Sequence, residues 1–324
     1  MLISVILFAI GLVLLIKGGD WFVDGATGIA KRFNLPDIVV GATVVSIGTT
    51  LPEVMVSTTG ALQGSGAMAY GNAIGSIICN TALIAAISIV VNPGPVNVKS
   101  MKTPAIFFFM ASALYCLAAY GLGTFPRWMG FVMLTIFVVY MVLTVRNGMA
   151  NPDEAEEEEE EGGKPKKLWQ ELALLIVGAG VIAVGADLLV EHGQIIAIGL
   201  GVPETVVALL FVALGTSLPE LVTTITSLKK GRASLGVGNV IGANVFNLVL
   251  VSGVAVSLAP FDVPCENLLL NTGLNLSLVF DIPVMLGVMS LMIFPTFAAK
   301  KLGRWQGIAL LAIYVAFCVC QFML

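Results

Sequence analysis

The chain has 324 residues, 58% hydrophobic and only 11% charged, with a formal net charge of −4 and a mean hydropathy of +0.99. That composition excludes a soluble globular enzyme and places the chain in a lipid bilayer. Eight of the 20 acidic residues fall in the run Asp153–Glu161, so the net charge implies no nucleic-acid partner. Apolar stretches of spanning length run Leu2–Trp21, Val39–Leu62, Ala67–Val91, Ala105–Leu122 and Trp128–Val145. The first has neither the basic start nor the small-residue cleavage site of a signal peptide and reads as a retained helix. A Glu-rich, then Gly-Gly-Lys-Pro-Lys-Lys segment follows, which cannot bury a core and reads as a disordered tether. Five more spans come after it: Trp169–Val190, Val206–Leu228, Leu235–Leu258, Leu278–Phe297 and Trp305–Leu324. The expected fold is an all-α membrane protein of ten transmembrane helices, with halves 1–146 and 168–324 joined by an acidic linker at 147–167.

The halves repeat. Glu53 and Glu220 stand 167 residues apart, and the same ungapped register pairs Asp20 with Asp187, Asp24 with Glu191, Pro36 with Pro203, Gly64 with Gly231, Asn72 with Asn239, Gly75 with Gly242, and Asn80 with Asn247. An odd number of spans in each half makes the second enter the membrane from the opposite side, so the two five-helix repeats are inverted. Fourteen of the 16 basic residues fall on one side, Arg127 and Lys17 being the others. The positive-inside rule then predicts a multi-pass cell-membrane protein with a cytoplasmic linker and both termini outside. Trp21, Trp128, Trp169 and Trp305 lie near the predicted span ends and fit interfacial anchors.

One stretch occurs twice, Gly48-Thr49-Thr50-Leu51-Pro52-Glu53 and Gly215-Thr216-Ser217-Leu218-Pro219-Glu220. A carboxylate at the centre of a span costs about 2.5–3.5 kcal/mol, so a chain that carries one at matching positions in both halves has a use for it. Pro and Gly predict a helix break beside each acid, with freed carbonyls near Ser46, Thr49, Ala213 and Thr216. Two such breaks at corresponding positions mark a transporter's binding site. The donors are two carboxylates, four hydroxyls (Thr49, Thr50, Thr216, Ser217) and carbonyls, all oxygen, which suits a hard cation such as Ca²⁺ or a set of Na⁺ ions. His192 is the only histidine, so proton coupling would fall to carboxylates. The five cysteines have no metal-ligand spacing, and packing is their expected role. In the next helices Asn72, Ser76 and Asn80 share a face, and Asn239 and Asn247 repeat the outer two; interhelical glue and ion ligation are both open for these Asn residues. Gly71, Gly75, Gly238 and Gly242 form small-residue faces for close helix approach. Asp37 and Glu204, each just after a Pro, read as first-turn charges, and Asp20, Asp187 and Asp281 read as acids near span ends, outside the site.

The doubled motif, each copy followed by Gly-Asn-x-Ile-Gly, resembles the alpha repeats of the calcium/cation antiporter superfamily, sodium/calcium exchanger type, along essentially the whole chain. The resemblance implies ten helices in two inverted halves and Ca²⁺ bound by Glu53 and Glu220 with the carbonyls of Thr49 and Thr216. It implies flanking Na⁺ sites from Thr50, Ser217, Ser76 and the carbonyls of Ser46 and Ala213, with Asn80 and its mate Asn247 at the middle. Transported Ca²⁺ and monovalent cations are then the partners, and no cofactor is implied. Ala243 and Asn247 depart from the serine and aspartate of sodium/calcium members, and Ile77 from a common Asn, so the counter-ion stays open among Na⁺, H⁺ and K⁺. A cation channel would share the acids and carbonyls but seldom the inverted repeat, and a membrane hydrolase would need a His-Glu-x-x-His, paired Asp or serine-base arrangement that the sequence lacks.

Overall fold

The structure, a computed structural model, describes residues 2–150, 167–200, 215–264 and 275–323, with side chains as far as 321. The acidic run, Pro203, Glu204, Ala213 and Cys265 lie outside the described residues. Helices are α1 (Leu2–Phe33), α2 (Asp37–Leu62), α3 (Gly66–Val91), α4 (Val98–Leu122), α5 (Arg127–Ala150), α6 (Leu168–Gly199), α7 (Leu218–Lys229), α8 (Ala233–Leu258), α9 (Ser277–Ala299) and α10 (Arg304–Met323). Among the described residues nine are long and apolar enough to cross a bilayer; α7 is the shorter tenth. The third helix of each half, α3 and α8, is the most buried. Apolar side chains such as Ile3, Met55, Phe131, Ile176 and Val315 point outward, the arrangement of a protein whose solvent is lipid.

α1 and α6 are each 32 residues, about 48 Å of helix against a hydrocarbon core of about 30 Å, so they tilt or project beyond it. Asp20, Trp21 and Asp187 therefore sit within these helices and not at their ends, a correction to the sequence expectation. Leu-rich periodicity ran out near Trp21, but the polar segment beyond it stays helical because it packs on α6 and α7. The two long helices meet through glycines spaced by seven. A methyl added at Gly11 would lie 2.9 Å from the Gly185 carbonyl, at Gly18 2.9 Å from the Ile182 nitrogen, and at Gly178 2.6 Å from the Phe22 nitrogen. Only a hydrogen fits there.

Among the described residues five of the spans contain a π-helical turn: Gly41–Val45 in α2, Asn80–Ala85 in α3, Leu117–Leu122 in α4, Asn247–Val251 in α8 and Ser277–Asp281 in α9. Those of α3 and α8 start at repeat-related asparagines. Two short antiparallel ribbons cross between the halves. Gly94 and Pro95 pair with Leu302 and Lys301, and Thr124 and Phe125 with Asp262 and Phe261. In each ribbon the strand after the third helix of one half meets the strand before the fifth helix of the other, which is the exchange an inverted repeat produces.

Candidate cation-binding site

The two motif copies fold differently. α2 continues as regular helix from Ser46 to Leu62 with Pro52 inside it, and its irregularity lies upstream, in the π turn Gly41–Val45. α7 begins at Leu218, with Pro219 in its first turn and Thr216 and Ser217 in the turn before it. The expected pair of breaks is thus one break and one displaced π turn. Pro219 occupies a first-turn position whose N–H has no helical acceptor anyway, whereas Pro52 removes the helical donor to the Gly48 carbonyl. The carbonyls loosened by the π turn find hydroxyls: Tyr140 donates to Ala42 O at 2.7 Å and Ser46 to Gly41 O at 2.8 Å. Tyr140, from α5, was not legible as a site support, because nothing local to it signals the partner.

Glu53 and Glu220 are both fully buried, as are Thr50, Asn80 and Asn247; Thr49, Ser46, Ser76 and Ser217 are buried with them. Thr50 and Glu53 are one turn apart on α2 and share a face, and Thr50 Oγ1 donates to Glu220 Oε1 at 3.4 Å. That bond brings the two motif acids to one place. Glu220 also stands in the first turn of α7, where the helix dipole favours negative charge. Both carboxylate oxygens of Glu53, Oε2 of Glu220, the Ser217 hydroxyl, and both amide atoms of Asn80 and Asn247 have no hydrogen-bond partner among the described residues. Buried polar atoms are ordinarily paired. A concentration of unpaired oxygens around two carboxylates has the chemistry of a cage for a hard cation, with neutral oxygens completing the shell. No cluster of three or more His, Cys, Asp or Glu occurs among the described residues.

Asn72 and Asn239 work across the repeat. Thr49 Oγ1 donates to Asn239 Oδ1 at 3.1 Å, and its repeat mate Thr216 Oγ1 donates to Asn72 Oδ1 at 3.3 Å. Ser46 Oγ donates to the Asn239 carbonyl at 2.9 Å, while Asn72 Nδ2 donates to Glu53 O at 3.2 Å and to Ser57 Oγ at 2.8 Å. Each asparagine therefore fixes the motif threonine of the opposite half. Of the two roles left open for them, the geometry favours glue. Asn244 is held sideways, its Nδ2 donating to Thr81 Oγ1 at 2.7 Å; its repeat mate is Ile77, so this contact has no counterpart. Ala243 is fully buried and brings no hydroxyl to the site.

Other acids fall outside this cluster. Asp37 does occupy the first turn of its helix, but it is buried and ion-paired, both its oxygens accepting from Arg232 Nη1 at 2.9 and 2.8 Å. The Pro-Asp step signals only the start of a helix; the ion-pair partner lies 195 residues away. Asp281 accepts from Gln321 Nε2 at 2.6 Å.

Comparison with known proteins places this arrangement. The model of a family described as sodium/calcium exchanger protein matches residues 3–146 and 171–323. An uncharacterized membrane protein of Methanocaldococcus jannaschii is 35% identical over 308 residues, 95% of this chain and 94% of that one. The sodium/calcium exchanger MaX1 of Methanosarcina acetivorans is 28% identical over 359 residues, 99% of each chain. Among solved structures, the sodium-calcium exchanger NCX_Mj soaked with 10 mM Na⁺ and zero Ca²⁺ superimposes with a TM-score of 0.79 at 32% identity, covering 98% of both chains.

Proposed function

The chain belongs to the sodium/calcium exchanger family, a multi-pass membrane exchanger of cations, and from that premise we propose that it is a secondary active antiporter exchanging Ca²⁺ for Na⁺ by alternating access. Ca²⁺ sits between Glu53 and Glu220 with the carbonyls of Thr49 and Thr216. Na⁺ ions take flanking positions served by Thr50, Ser217, Ser76 and the carbonyls of Ser46 and Ala213, with Asn80 and Asn247 at the middle. The carrying observation is the meeting of two fully buried carboxylates from repeat-related motifs, Glu220 accepting from Thr50 one turn before Glu53, with unpaired buried oxygens on Glu53, Glu220, Ser217, Asn80 and Asn247. Two negative charges balance one Ca²⁺, and the same cage is balanced by monovalent ions that share them. Mutually exclusive occupancy of one such site is sufficient for exchange, and inverted halves supply the two access states.

The basic face is cytoplasmic on the positive-inside argument, with the linker inside and both termini outside. Radioactive Ca²⁺ uptake into proteoliposomes, with a Na⁺ gradient and a pH gradient imposed separately, tests the counter-ion. Uptake driven by outward Na⁺ is expected, and the double substitution Ala243→Ser with Asn247→Asp should steepen its Na⁺ dependence, since it adds a hydroxyl and a carboxylate beside the site. Uptake that ignores Na⁺ and follows the pH gradient would overturn Na⁺ coupling and make Glu53 and Glu220 the proton carriers.

A further inference from the structure

Among the described residues three basic side chains make helix-joining ion pairs on the basic face: Arg32 with Glu171 at 2.9 Å, Lys230 with Asp24 at 2.7 Å and Asp20 at 3.8 Å, and Arg232 with Asp37 at 2.8 Å. The repeat contains its own control for two of them. After α7, the amides of Lys230, Gly231 and Arg232 donate to the carbonyls of Thr226, Leu228 and Ser227; after α2, Gln63, Gly64 and Ser65 donate to Thr59, Ala61 and Gly60 in the same register. Gly231 and Gly64 take the same left-handed conformation, φ +74° and +83°. The two turns match in backbone and differ in side chains, Gln63 standing for Lys230 and Ser65 for Arg232. The acids opposite them are kept in both halves: Asp20 and Asp24 answer to Asp187 and Glu191. Lys230 Nζ reaches Asp24 Oδ1 and the Asp20 carbonyl, at 2.7 and 3.0 Å. Asp187 and Glu191 are exposed and make no ion pair among the described residues.

We propose that Lys230 is a one-sided latch: by pairing with Asp24 it ties α1 to the α7–α8 turn, holds the basic face closed, and biases the molecule toward the state open on the opposite face. The inference rests on the alternating-access part of the reading above. When inverted halves exchange conformations, one access state becomes the other. The Lys230–Asp24 contact then opens while Gln63 approaches Glu191, and an amide facing a carboxylate gains less than an ion pair. Lys230 and Asp24 side chains are 29% and 45% exposed, so the bias is modest, no more than about fivefold in the equilibrium. A latch of that strength shifts the resting population and still lets the cycle turn. Removing Arg232 would instead take a buried ion-pair partner from Asp37 and endanger the fold, which makes Lys230 the position to change.

The test places a reporter at the mirror contact. Gln63→Cys and Glu191→Cys are introduced together, with each single cysteine as a control against the native ones, and treated in membranes with a short bifunctional thiol reagent. Cross-linking should run about two- to fivefold faster when Lys230→Gln is added, and Lys230→Arg should return it to the parental rate. Equal rates with and without Lys230 overturn the latch, and a mirror pair that never cross-links in protein that elutes as a folded species overturns the movement. In transport, Lys230→Gln should lower the half-saturating Ca²⁺ on the basic face, and Gln63→Lys, which would pair with Glu191 in the state open on that face, should lower it too. Loss of Ca²⁺ transport by the parent alongside an intact cross-linking shift would count against the assigned ion and leave the latch standing.

Discussion

Glu53 and Glu220 are fully buried and share one site, so each needs positive charge from the other components of that site. Replacing either by Gln keeps volume and removes one charge. Glu53→Gln and Glu220→Gln should each lower Ca²⁺ flux by at least about tenfold, with elution as a folded species unchanged, because a divalent ion would be left half neutralised; flux close to parental in either would sink the two-carboxylate site. Asn72 and Asn239 make a different claim, that of positioning residues acting through the threonines. A double-mutant cycle of Thr49→Val with Asn239→Ala should show a coupling of about 1 kcal/mol in apparent Ca²⁺ affinity, whereas Thr216→Val with Asn239→Ala should be additive. Additivity in both cycles would reduce Asn239 to general packing. The motif acids and hydroxyls were legible because their types and spacing repeat. The threonine-to-asparagine pairing was not, since it joins residues 190 and 144 positions apart that touch only after the halves interlock.

At the scale of the element, hydropathy located the spans but misjudged the ends of α1 and α6; the polar last turns of α1 are held by packing and by the ion pairs of Asp24 and Arg32, which no local window contains. It also anticipated a break at each motif, where the chain uses a π turn in α2 and a true start in α7. A π turn inserts one residue into an otherwise regular helix and leaves no distinctive residue type behind. Its matching starts at Asn80 and Asn247 nonetheless place both central asparagines at an irregularity. The glycine seam of α1 and α6 had a readable signal, the seven-residue spacing of Gly11, Gly18 and Gly25 and of Gly178 and Gly185. Gly178→Leu should lower the melting temperature in detergent, by strain equivalent to about 1–3 kcal/mol, because its first carbon already meets the Phe22 backbone. Gly180→Leu on the same helix has nothing within 4 Å and should leave melting unchanged; equal effects from both would show that the seam is not the tight contact.

For the whole molecule, the charge distribution and the repeat make one proposal together. Cysteines placed in the linker should be labelled by an impermeant thiol reagent only from the cytoplasmic side, and cysteines at either end of the chain only from outside. Linker labelling in intact cells would reverse the orientation. Deleting Asp153–Glu161 should leave exchange measurable, since no site residue lies there. Membrane residence, the order of spans, the two inverted halves and the paired acids were determined by the sequence alone, because hydropathy and an ungapped repeat are properties of position along the chain. Which hydroxyl meets which carboxylate, which carbonyls Tyr140 and Ser46 cover, how closely α1 and α6 approach, how the strands exchange between halves, and the pairing of Lys230 and Arg232 with acids of the first half were decided only by the tertiary structure. These contacts join residues far apart in the chain, and packing brings them within the few ångströms over which hydrogen bonds and buried charges act.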